Sequence, residues 1–121
     1  LKAATSSTGF SVTGTVLATT STASVSGNTT LDFETNQNFI LTLTDTTTLV
    51  NPSTEQAGQS GFIIFIQDGT GSRSVSLGTD YETAGAATLT LSSAANAVDI
   101  VPYVVQSSGN ILLGKPQLAF S

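Results

Sequence analysis

Eight carboxylates, with no histidine and no cysteine, define the chemistry open to this 121-residue chain. Lack of imidazole removes the common general base and the commonest transition-metal ligand. Lack of thiol removes the thiolate nucleophile, the disulfide and the usual zinc site. Three groups of acids remain to be weighed. Asp80 and Glu82 flank Tyr81 and, two apart on a strand, would share a face, as a glycoside-cleaving pair must. In a β domain wetted by solvent, chance placement accounts for them better. Asp68-Gly69-Thr70-Gly71 invites calcium or phosphate. Calcium asks for six or more oxygens, and a phosphate loop asks for a following Lys and helix, where this chain has Ser72-Arg73-Ser74. The expectation is a turn. Asp99, just before the apolar pair Ile100-Val101, is expected to accept backbone N–H groups of the preceding turn.

Other candidates also have simpler accounts. Asn28-Thr29-Thr30 fits the glycosylation triplet, which matters only in a secretory pathway. Phe10, Phe33, Phe39, Phe62, Phe65 and Phe120 could be pictured as a sugar-stacking platform, but each sits in an alternating pattern with aliphatic neighbours, so all six are expected in the core. A serine hydrolase lacks its histidine, and no Ser stands in a Gly-x-Ser-x-Gly setting. The sequence therefore offers no catalytic, metal-binding or cofactor-binding residue.

The elements that would position these groups are strands. Gly61 to Leu77 is the clearest stretch. Phe62, Ile63, Ile64, Phe65 and Ile66 suit a strand covered on both faces. The Gly-rich turn Asp68, Gly69, Thr70, Gly71 follows, and then Arg73, Val75 and Leu77 alternate with Ser72, Ser74 and Ser76, the pattern of a β-hairpin. Alternation also marks Phe10 to Ala18, Leu31 to Glu34, Asn38 to Asp45 and Thr88 to Leu91, and Asp99 to Gln106 is apolar enough for a core strand. Pro102 lacks a donor and asks for a bulge or an edge in the last of these. Thr19 to Thr30 reads as a weak edge strand or loop. Ser92 to Ala97 reads as a turn or a single helical turn. Ser108-Gly109-Asn110 is a hairpin turn into Ile111 to Leu113, and Gln117 to Phe120 is a last short strand. Eight to ten short strands with regular turns predict an all-β fold: an antiparallel, jelly-roll-like β-sandwich over residues 10–121, preceded by a short extended arm at residues 1–9.

Composition agrees with strands and narrows the partners. Ser and Thr make up 37 of the 121 residues, so the wetted faces carry hydroxyls where helices would carry Lys, Glu and Arg. Only three residues are basic (Lys2, Arg73, Lys115), and the net charge is −5. A surface so poor in cations has no patch to release counterions from nucleic acid or to bind an anionic membrane, and no apolar run reaches the length of a bilayer span.

From Gly58 to Phe120 the chain resembles a module of structural proteins of tailed bacteriophages, found in decoration, head-fibre and tail-fibre proteins. The likeness is carried by GQSGFIIFIQDGTGSRSVSLGTDY (Gly58 to Tyr81), TLTL (Thr88 to Leu91) and SSAANAVDIVPYVVQSSGNILL (Ser92 to Leu113). Family members often carry Trp after the hairpin, where this chain has Leu77 and Tyr81. Residues 1–57 share only Thr-rich alternation. The resemblance implies a non-enzymatic virion protein, homotrimeric, without cofactor. Its first expected role is capsid decoration, cementing the major capsid protein on the outer surface of a head. The alternative is a tail- or head-fibre domain, or a receptor- or glycan-binding knob using the loops Thr46 to Gln59 or Gly78 to Ala87 with Tyr81 or Tyr103. An arm that orders on contact would place Leu1, Lys2, Ala3, Ala4 and Thr5 against a partner.

Overall fold

The computed structural model describes residues 2–121, and within them ten strands account for nearly all regular structure. They are β1 (Ala3–Ser6), β2 (Gly9–Val12), β3 (Thr20–Thr29), β4 (Asn38–Leu49), β5 (Ser60–Gln67), β6 (Val75–Leu77), β7 (Tyr81–Thr83), β8 (Val98–Ser107), β9 (Asn110–Leu113) and β10 (Gln117–Phe120), with a single 3₁₀ turn at Ala84–Ala86. The fold is all-β and sandwich-like. One sheet runs β3-β4-β5-β8-β9-β7, with β6 beside β4 and β10 beside β8. Its pairing is mixed: β5, β9 and β10 meet β8 antiparallel, while β3 with β4, β4 with β5, β4 with β6 and β7 with β9 are parallel.

Parallel neighbours need crossovers, and here the crossovers supply the opposing layer. Residues 30–37 lay Leu31 and Phe33 over the sheet, residues 84–97 bring Leu89, and β7 contributes Tyr81 from the end of the sheet. The sheet answers with its inward alternates: Phe39, Leu41 and Leu43 on β4, Ile63 and Phe65 on β5, Val101, Tyr103 and Val105 on β8, Ile111 and Leu113 on β9. Phe33 stands edge-on to Phe39 and Tyr103, with ring centroids 5.0 and 5.3 Å away. This apolar interior replaces any staple.

Several expected elements take another form. Phe10 to Ala18 is not one strand. Gly9–Val12 pairs with Ala3–Ser6 in a separate two-stranded hairpin, so the arm is folded on itself rather than extended. Leu31 to Glu34 is a turn, because the Asp32 carboxylate accepts the Glu34 N–H at 3.0 Å and the Thr35 hydroxyl at 2.6 Å. Thr88 to Leu91 pairs with nothing among the described residues, although Leu89 is buried. Thr19 to Thr30 does yield an edge strand, β3. Pro102 sits within β8 at the break between its two neighbours: β9 ends opposite Tyr103, β10 begins opposite Ile100, and the Pro102 carbonyl accepts the Gly114 N–H at 2.8 Å. The missing donor therefore faces a gap in the ladder.

Among the described residues two buried side-chain polar atoms lack partners, the Tyr81 hydroxyl and Glu55 Oε2; the other Glu55 oxygen accepts the Gly109 N–H at 2.9 Å. Burial, then the nearby Glu55 and Asp80 charges, push the Tyr81 phenol far above its ordinary 10.0. A raised phenol adds stability that is complete below pH 10 and drains away as pH climbs towards the folded value. Tyr81→Phe, which deletes an unsatisfied hydroxyl, is expected to leave the urea midpoint at pH 7 unchanged or higher and to flatten the loss of stability above pH 10. A drop of more than about 1 kcal/mol at pH 7 would show that the hydroxyl is satisfied after all.

Candidate interaction surface

The Asp68 turn is built as the residue types suggest, but it does not close a hairpin. Asp68 Oδ1 accepts the N–H groups of Thr70 and Gly71 at 3.0 and 2.9 Å, and Arg73 closes the loop with Nη2 2.9 Å from Asp68 Oδ2. Gly71 takes φ +77°, and a Cβ there would lie 2.6 Å from the Ser93 carbonyl oxygen, so the position excludes side chains. β6 then continues beside the second half of β4, in the same direction as β5 beside its first half. The loop joins two collinear strands because the inward Gln67 side chain holds it. Gln67 Nε2 donates to the carbonyls of Arg73 and Ser92 at 2.8 and 2.9 Å, and Oε1 accepts the Arg73 N–H at 2.8 Å. Period-two register from Ile63 and Phe65 could have placed Gln67 inside; nothing in the sequence marks the buried Glu55.

The hydrogen bonds from Arg73, followed by that from the Gly71 N–H, hold the Asp68 carboxyl below its ordinary 3.8. A depressed acid lends stability above the unfolded value and loses it as pH falls through the folded one. Arg73→Ala is therefore expected to melt lower than wild type at pH 7, with the gap closing below pH 3.8. A gap that is constant from pH 7 to pH 2.5 would mean that lost packing, not the ion pair, sets it.

Asp99 accepts one backbone donor from the start of the preceding turn, as expected, and a second from the remote strand β10. Its Oδ2 takes the Ser92 N–H at 2.6 Å, and Oδ1 takes the Ser92 hydroxyl at 2.7 Å and the Ala119 N–H at 2.8 Å. Asp80 precedes β7, and its carbonyl accepts the Ile111 N–H; Glu82 lies on the strand, exposed, in the wall of an open groove of about 750 Å³. Among the described residues no three acidic side chains gather at one point. Asn28 is exposed on the edge strand β3. Lys2, Ala3, Ala4 and Thr5 belong to the N-terminal hairpin segment, where the Lys2 carbonyl accepts the Thr13 N–H; Leu1 lies outside the described residues.

The phenylalanines divide. Phe33, Phe39 and Phe65 are core, whereas Phe10, Phe62 and Phe120, expected there too, are 69%, 51% and 48% exposed. For Phe62 and Phe120 the cause is register. Inward Ile63 and Phe65 leave Phe62, Ile64 and Ile66 on the opposite face of β5, which no layer among the described residues covers. Pairing assembles that face in rows. Ile40, Ile64 and Ile100 stand side by side, flanked by Phe62 with Pro102 and by Ile66 with Val98 and Phe120. Val104 and Leu112 extend it. Thr20, Thr22 and Ser24 on β3, with Asn38 and Thr42 on β4, form a polar border, and no charged residue occupies these positions. An apolar centre with a polar rim is the surface composition that protein–protein contacts share.

The family described as "Putative phage tail fibre C-terminal domain" matches residues 12–110. The chain belongs to this family. It is thus a phage structural protein, associated with the virion. The family match also takes in residues 12–57, which the Gly58 to Phe120 likeness left aside. No curated protein and no solved structure matches the chain.

Proposed function

We propose that this chain is a non-enzymatic building domain of a phage tail fibre, assembled with copies of itself as a homotrimer, rather than a cement on the major capsid protein. The observation that carries the reading is the tail-fibre family match across residues 12–110 of an all-β chain. Low charge supports it, since an interface between such domains desolvates few ions. In the same reading, the N-terminal hairpin with Lys2, Ala3, Ala4 and Thr5 touches a neighbour, its exposed Phe10 serving as the anchor. A glycan-binding knob that uses Tyr81 or Tyr103 is less favoured, because both side chains are buried. Copy counting in purified particles tests the proposal. A fibre domain is expected at a handful of copies, with antibody label on the tail. Hundreds of copies, or label spread over the head, would return the protein to capsid decoration.

A further inference from the structure

We infer that the bare face of the sheet, centred on Phe62, Ile64, Ile100 and Phe120, is an interface between copies of this chain. The middle of β5, GFIIFI, is apolar at every side-chain position, as in strands covered on both sides, yet the described residues of a single chain cover only one. On the open side, Phe62 and Phe120 are each about half exposed and Val104 is 43% exposed, while Ile40, Ile64, Ile66, Val98, Ile100, Pro102 and Leu112 are partly so.

Size favours a sister chain as the occupant. With an aromatic side chain offering about 200 Å², the apolar centre exposes on the order of 500 Å². The Thr, Ser and Asn border brings the face to about the 800 Å² per partner that a stable association buries. Chemistry points the same way. The centre of the face carries no charge, and the nearest, Glu82 beside Leu112, stands at its margin, so the face has little complementary sign to offer a basic or acidic partner and little to repel its own copy across a symmetry axis. Hydroxyls along β3 and β4 can pair with their counterparts or with bridging water at the rim. For the identity of the partner the inference rests on the fibre reading, in which the nearest neighbours are identical chains.

The test uses the full chain at tens of micromolar. Native mass spectrometry and sedimentation are expected to find an oligomer, and Phe62→Asp is expected to run as a monomer with an unchanged far-ultraviolet dichroism spectrum. Because the chain has no cysteine, Phe62→Cys gives a second readout that does not depend on a buried charge. Its thiol should react with a maleimide at least tenfold more slowly than that of the exposed control Ala87→Cys. A monomeric wild type, an oligomer that survives Phe62→Asp, or equal labelling of the two thiols would each overturn the interface. Antibody label on the tail of the virion bears on the fibre reading separately, whatever these masses are.

Discussion

Asp99→Ala is expected to lower stability by about 3–5 kcal/mol, because it takes a buried acceptor from three donors at once. Asp99 is 2% exposed, and its two oxygens tie the Ser92 turn and the tip of β10 to the start of β8. The loss therefore falls on three segments at once. For a domain of this size the melting midpoint should fall by about 15 °C. Asp99→Asn keeps the shape but points an amide donor at one or more donors, so its midpoint should lie between the two. Urea unfolding checks both; a loss under about 1 kcal/mol for the Ala variant would mean that the three donors find other partners.

Phe39→Ala is the second large effect, expected at about 3–5 kcal/mol. The ring is 1% exposed and packs edge-on to Phe33, with Tyr103 tilted beside the same pair at a centroid distance of 6.5 Å. Removing it leaves a hole walled by two aromatic rings, one of them fixed by the Tyr103 hydroxyl donating to the Gln37 carbonyl at 2.5 Å, so the site closes poorly. Phe62→Ala, an identical truncation on the opposite face, should change monomer stability by less than about 0.5 kcal/mol. Equal losses for the two variants in urea titrations of monomer would contradict the assignment of inner and outer faces.

That pair of phenylalanines also shows how far the sequence could be read. The strand through Phe62 and Ile66 was legible, since a run of β-branched and aromatic residues ended by Asp68-Gly69 has few other forms. Its inner face was not, because both alternates are apolar and only the crossovers from elsewhere in the chain decide which side is covered. The same ambiguity concealed the interaction surface. The turn at Asp68 was visible in its residue types, but its geometry depends on Gln67 reaching Ser92 and Arg73, a contact no local pattern encodes. Leu31 to Glu34 alternates like a strand, yet Asp32 caps a turn there, a case of local side-chain bonding defeating periodicity. Parallel pairing of β3, β4 and β5 was out of reach altogether, since it follows from crossovers anchored by Leu31, Phe33 and Glu55 rather than from any feature of the strands. Asp99 was legible as an acceptor of backbone donors, and Ala119, among the last residues of the chain, was not legible as one of them.

The order in which the main sheet is wound bears on synthesis. β5 lies between β4 and β8, and β8 is made only after the long stretch from Asp68 to Ala97 has emerged. Ribosome-bound chains consequently hold GFIIFI without one flanking partner for as long as that stretch takes to appear. Non-local closures of this kind are slow, on the order of milliseconds to seconds. Delay at that stage favours capture by a holdase or adhesion between nascent chains, and assembly with sister copies would then finish the concealment that folding begins.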